Sequence, residues 1–184
     1  SGCAQVAPGA EPQTFVFSST QQALDHAREK GFAREAEFLA DGVVTPEEYR
    51  SSALVYRDCL EKLGYRFGGD ITPEPVGGLQ LVWNWLEVPA DVGGRDVDCQ
   101  APYSVIEQAY VFTHDKVMDS SLRSAVVSCA SDAGVHIPES ARNRDDMVAD
   151  SQEAESEGMT LSVIDGCILS STKALFPTLD QVFF

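Results

Sequence analysis

Cys59-Leu60-Glu61-Lys62-Leu63-Gly64-Tyr65-Arg66-Phe67 and Cys129-Ala130-Ser131-Asp132-Ala133-Gly134-Val135-His136-Ile137 share one pattern: cysteine, four residues, glycine, then apolar–polar–apolar. The next cysteine follows 40 residues after Cys59, at Cys99, and 38 residues after Cys129, at Cys167. The offsets between the halves, 70 and 68, agree as well. Agreement at several points indicates duplication of a unit of about 70 residues. The repeats would run over about 41–110 and 111–178, with Cys59–Cys99 and Cys129–Cys167 as the expected disulfides. No C-x-x-C pair is present, which argues against a zinc knuckle or a thioredoxin-type redox site. Four well-spaced cysteines fit two structural bridges in an oxidising compartment.

Each cysteine–glycine unit ends a helix. Thr45-Pro46-Glu47-Glu48 has the makings of a helix start: a capping threonine, a proline suited to the first turn, and a glutamate at the capping-box position. Tyr49, Ala53, Tyr56, Leu60 and Leu63 then form an apolar stripe at spacings of four and three, and Gly64 stops it. In the second half Asp119 or Ser120 caps, Leu122, Val126, Cys129 and Ala133 form the stripe, and Gly134 ends it. Short strands are expected at Tyr65-Arg66-Phe67 and Val135-His136-Ile137. Gly77-Gly78 leads into a second strand over Leu79–Val88, and Met159–Ile164 is the strand-like counterpart after the polar stretch 139–158. Further helices are expected near 20–40, with Ser19 as cap, and near 102–113 and 167–175. The fold class that results is α+β and helix-rich, two duplicated disulfide-linked helix–strand–strand–helix halves in one globular domain over 18–184. Residues 1–17 would form a flexible N-terminal tether.

Charge narrows the function. Among 184 residues, 29 are acidic and 13 basic, a net charge of −16. That balance argues against nucleic acid and against docking on anionic lipid through a basic patch. No apolar run approaches the roughly 20 residues of a membrane span.

Ser1-Gly2-Cys3, followed by the Ala-, Pro- and Gly-rich stretch up to Pro12, resembles the end of a bacterial lipoprotein signal. The small residues, the acidity and the Val44-Thr45-Pro46-Glu47-Glu48-Tyr49 helix start are similar to those of actinobacterial cell-envelope lipoproteins. The resemblance implies a lipid on Cys3 and an extracytoplasmic, membrane-anchored protein. Within that group, an anionic protein with spare aromatic surface resembles the lantibiotic self-immunity lipoproteins, which sequester a cyclic amphipathic antibiotic.

Two stretches are candidate ligand surfaces. On a strand, Leu81, Trp83 and Trp85 share one face while Val82, Asn84 and Leu86 share the other, so both faces carry apolar groups. Either both faces are buried by core packing or one is exposed for recognition; in the second case Leu81, Trp83, Trp85 and Leu86 are the candidate apolar surface. The second stretch, from Asp145 to Glu157, holds Asp145, Asp146 and Asp150 and no lysine or arginine. As a solvated loop it would steer a cationic ligand toward a nearby apolar patch. The expected partner is thus an amphipathic, cationic peptide bound by a monomer. Asp41–Glu48 is similar to the latter half of an EF-hand loop, but Leu39 would occupy a ligand position and capping already accounts for Thr45 and Glu48, so no metal is expected. His114-Asp115 and His136 are the residues that a secreted hydrolase would use. No nucleophile elbow, zinc motif, phosphate loop or dinucleotide fingerprint accompanies them, so no catalytic residue or cofactor is assigned. A structural envelope subunit is a third reading.

Overall fold

The computed structural model describes residues 16–151 and 157–179. Cys3 lies outside them, and so does the side chain of Asp150. The chain forms α1 (Thr20–Lys30), α2 (Ala33–Phe38), α3 (Pro46–Lys62), β1 (Arg66–Pro73), β2 (Leu81–Glu87), α4 (Arg95–Thr113), α5 (Ser120–Asp132), α6 (Arg144–Asp150) and α7 (Glu157–Leu175). This is a helix-rich α+β architecture with one small antiparallel sheet among the described residues. No helix among them is long and apolar enough to cross a membrane.

Local chemistry sets the helix ends. Ser19 caps α1 by accepting the Gln22 N–H. Thr45 and Glu48 form a reciprocal capping box at α3, with the Thr45 N–H donating to Glu48 Oε2 at 2.8 Å. Asp119 caps α5 through the N–H groups of Ser121 and Leu122. The single helix expected over 20–40 is two helices, because Gly31 adopts φ 73° and its N–H closes α1 on the carbonyls of Ala27 and Arg28. The expected helix at 102–113 starts at Arg95 instead and runs through Pro102. A proline inside a helix costs a hydrogen bond; here burial of Cys99 and Tyr103 on either side offsets it.

The second half lacks the strands expected of it. Met159–Ile164 belongs to α7, where Thr160, Ile164, Cys167, Ile168 and Thr172 are buried at helical spacing. The alternation of apolar and polar residues over six positions was overruled by a stripe that extends to Thr172. With no partner strand on that side among the described residues, Val135–Ile137 forms no ladder; Ile137 is buried as a loop residue and the Val135 N–H closes back on the Ala130 carbonyl. The helix–strand–strand–helix pattern therefore holds for α3–β1–β2–α4, while α5–α6–α7 is all helical.

Both disulfides tie a helix to a helix. Cys59 of α3 joins Cys99 of α4, and Cys129 of α5 joins Cys167 of α7, each with Cα atoms 5.7 Å apart. Two cores follow. Leu24, Leu39, Tyr49, Ile71 and Ile106 pack where α1–α4 meet the inner sheet face, and Leu122, Val126, Met147, Ile164 and Ile168 pack between α5, α6 and α7. Phe17, counted in the tether from sequence, is buried in the first core, and its N–H donates to Gln108 Oε1 at 3.1 Å. An aromatic ring of that size buries itself wherever the core offers room.

The β1–β2 turn joins the two cores. Val76, at its tip, is buried with Met118 and Leu122 in the second core. The carboxylate of Glu74 holds this turn by accepting from the N–H groups of Val76 (2.7 Å) and Gly77 (2.6 Å). Gly77 and Pro75 carbonyls accept from Val117 and Asp119 N–H groups, both at 2.8 Å. Gly78 has φ 73°, and a Cβ there would meet the Val117 carbonyl oxygen at 2.8 Å, so only glycine fits.

Candidate functional site

β2 carries its odd-numbered side chains toward the helices. There Trp83 meets Tyr56 at 5.3 Å and Tyr103 at 5.7 Å between ring centroids, and Trp85 meets Phe67 at 4.6 Å and Tyr65 at 5.7 Å. The tyrosines continue the series, Tyr56 stacking on Tyr103 at 4.9 Å and Tyr49 on Tyr110 at 4.4 Å. Alongside lies an open cleft of about 460 Å³, lined by Leu81, Trp83 and Trp85 together with Asp70 of β1 and Glu107 of α4. Thr178 and Leu179 form part of its wall. Trp83 is half-buried against the first core, whereas Trp85 is 42% exposed. No lysine or arginine is among the lining residues.

Glu107 is the carboxylate set deepest in the cleft. Its Oε1 accepts from the Tyr103 hydroxyl at 3.0 Å and from the Tyr49 hydroxyl at 3.4 Å, and the two hydroxyls are 3.2 Å apart. Burial pushes the carboxyl above the usual range, and the two phenol hydrogen bonds act in the opposite direction. Burial likewise raises Tyr49 and Tyr103 well above an ordinary phenol, with the charge of Glu107 adding to it. Tyr56 is pushed up to about 12, again mainly by burial. These phenols stay protonated and act as donors at any working pH.

Of the residues singled out from sequence whose side chains the structure describes, Leu81, Trp83 and Trp85 come together, whereas Leu86, Asp145 and Asp146 lie elsewhere. Leu86 is 65% exposed and lies on the opposite sheet face, above Gly68. Asp145 pairs with Lys116 at 3.0 Å and with Arg144 at 3.8 Å, lining a separate cleft of about 270 Å³. Asp146 accepts from the Arg142 N–H at 2.9 Å, at the start of α6. These carboxylates serve helix ends and ion pairs of the second lobe. Sequence reasoning passed over Glu107, Tyr49, Tyr103 and Asp70. The one local signal was the four-residue spacing of Tyr103 and Glu107, which puts both on one face of a helix.

His114, the first histidine a hydrolase would use, has structural partners. It stacks on Tyr110 at 3.9 Å, with Nδ1 3.0 Å from both the Tyr110 carbonyl and the Thr113 hydroxyl. Asp115 turns away to Arg142 at 3.1 Å, so the two do not form an acid–base pair. His136 is exposed. No group of three or more metal-ligating side chains occurs among the described residues. At the sequence similar to a calcium loop, Asp41 accepts the Val43 N–H and Glu48 is used in the capping box. Comparison with protein-family models, curated proteins and solved structures finds no match.

Proposed function

We propose that this chain is an extracytoplasmic, non-catalytic binding protein that seats an amphipathic, cationic peptide in the Trp83–Trp85 cleft. The observation that carries the reading is the exposure of Trp85 in a cleft whose lining holds two indoles and two carboxylates and no lysine or arginine. Exposed indole surface in a concave site is the usual anchor of a binding hot spot. The two disulfides support an oxidising compartment outside the cytoplasm. A lipid on Cys3 would hold the protein at the membrane, where amphipathic peptides accumulate. Sequestration of a lantibiotic by its producer is the finer role we propose. The matched disulfide frames of the two halves support descent from one duplicated unit.

A tryptophan-fluorescence titration tests the reading. A cationic lantibiotic and a linear amphipathic Lys/Leu peptide should each shift the indole emission. Trp85→Ala should weaken binding by about 1–2 kcal/mol. Absence of binding by both peptides, or equal affinity in Trp85→Ala, refutes the assignment.

A further inference from the structure

Glu107 is a largely buried carboxylate whose side-chain partners are the neutral hydroxyls of Tyr103 and Tyr49. It takes part in none of the ion pairs among the described residues. Carboxylates withdrawn from water ordinarily have a cation beside them, since hydrogen bonds from neutral donors recover only part of the lost hydration. Glu107 nevertheless lines an open cleft, so a cation can reach it from solvent. Tyr103 connects the carboxylate to the aromatic wall: its hydroxyl bonds Glu107 and its ring lies 5.7 Å from that of Trp83. Asp70, exposed on β1, adds a second negative charge to the lining.

Resting on the reading of this cleft as a ligand site, we propose that it recognises an aliphatic organic cation, such as the side chain of a lysine or arginine. The head is held on Glu107 and the methylene stem lies across the indole of Trp83. The division of labour follows from the walls. Rings attract a cation through their quadrupole and cover its apolar stem, while a single carboxylate fixes the head by a charge-assisted hydrogen bond. A metal ion would instead need a shell of several oxygen ligands, and Oε1 of Glu107 is already engaged by the two phenol hydroxyls. Tyr49 and Tyr103 are positioning residues. By donating to Glu107 Oε1 they fix the carboxylate and leave Oε2 free of any hydrogen bond from them. The specificity determinant is therefore a residue of α4 in the first lobe, and the acidic stretch after Asp145 is not needed for it.

NMR of the indole N–H resonances of Trp83 and Trp85 tests this, with n-hexylammonium, n-hexylguanidinium, 1-hexanol and hexanoate titrated at fixed salt. The two cations should give saturating shifts of the Trp83 signal at concentrations about tenfold below those needed with 1-hexanol, and hexanoate should give none. Glu107→Gln keeps an acceptor for both tyrosines, so the fold is retained; the cations should then bind no better than 1-hexanol, whose own affinity should not change. Should that variant fail to fold, the comparison of hexylammonium with 1-hexanol on the wild-type protein decides alone. Equal affinity for cation and alcohol overturns the proposal, and so does unchanged cation binding in Glu107→Gln. If the cations bind as expected while neither peptide does, the peptide reading fails and the cation site stands. If the peptides bind through Trp85 while the cations do not exceed 1-hexanol, the reverse holds.

Discussion

Replacing Val76 by alanine tests whether the β1–β2 turn couples the two cores. Val76 is 4% exposed and belongs to the apolar cluster of α5–α7, while Ile71, five residues earlier in β1, is buried in the cluster of α1–α4. The turn is held at both ends, by the Glu74 carboxylate beneath Val76 and by the backbone hydrogen bonds to Val117 and Asp119. The valine therefore has little freedom to withdraw. Removing its two methyl groups forfeits roughly 1.6 kcal/mol at about 0.8 kcal/mol per buried carbon. A cavity that the clamped turn cannot close adds to this, for a total of about 2–3 kcal/mol. The loss should fall on the lobe that receives the side chain. Native-state hydrogen exchange reads it directly, as a drop of that size in the opening free energy of the slowest α5 and α7 amides. An equal drop in the slowest α3 and α4 amides would show that the lobes open as one unit through this turn. If α5 and α7 exchange changes by less than about 0.5 kcal/mol, the ordinary scale of a neutral surface change, the coupling argument is wrong.

Each disulfide closes a loop of about 40 residues, 40 in one case and 38 in the other, and the chain-entropy account assigns about 4 kcal/mol to each. Replacing Cys129 and Cys167 by serine should thus leave α5–α7 unfolded or nearly so by circular dichroism, with the first lobe retained; a melting curve matching wild type would contradict it. Asp119→Ala removes the cap of α5 and should cost about 1 kcal/mol at neutral pH. The Ser121 hydroxyl first, then the backbone N–H groups, hold the Asp119 carboxyl below its ordinary 3.8. Its contribution is therefore complete above 3.8 and lost as pH falls through the lowered value, so the melting-temperature gap between variant and wild type should close only in acid below that point.

What was legible in the sequence was what short-range chemistry decides. Thr45 and Glu48 announce a helix start because their side chains satisfy N–H groups within the same turn. The cysteine spacing gave the pairing because both bridges join helices whose order in each half is the same. Met159–Ile164 misled because six residues suit a strand alternation and a helical stripe almost equally. Only the continuation through Ile168 to Thr172 separates the two periods, and burial of Thr160, Ile164, Ile168 and Thr172 shows which one the core selected. Val76 carried no local mark at all. It follows a proline and precedes two glycines, like any turn residue, and its burial depends on a lobe built from chain 40 to 90 residues further on.

The site divides along the same line. Leu81, Trp83 and Trp85 could be placed together because a strand has a period of two, a property of β2 alone. Asp145 and Asp146 were joined to them on charge, and charge says nothing about distance. In the folded chain those carboxylates meet Lys116, Arg144 and the first turn of α6, which cancels much of their field locally. A pair neutralised in this way acts on an approaching cation only through what survives screening beyond about 10 Å. Glu107 is different in kind: its neighbours are neutral, it sits beside rings and not in bulk water, and its field is damped less by solvent. One such carboxylate outweighs several exposed ones in fixing a bound cation, although the exposed ones govern how fast it arrives. Helix α4 can present Glu107 because the Cys59–Cys99 bridge holds α4 against α3, bringing Tyr49 and Tyr103 onto one carboxylate. In the other half the corresponding bridge holds α7 against α5, but no hairpin covers that pair and no ring cluster forms there among the described residues. The disulfides supply the two frames, and the β1–β2 hairpin supplies the indoles that line the candidate site on one of them.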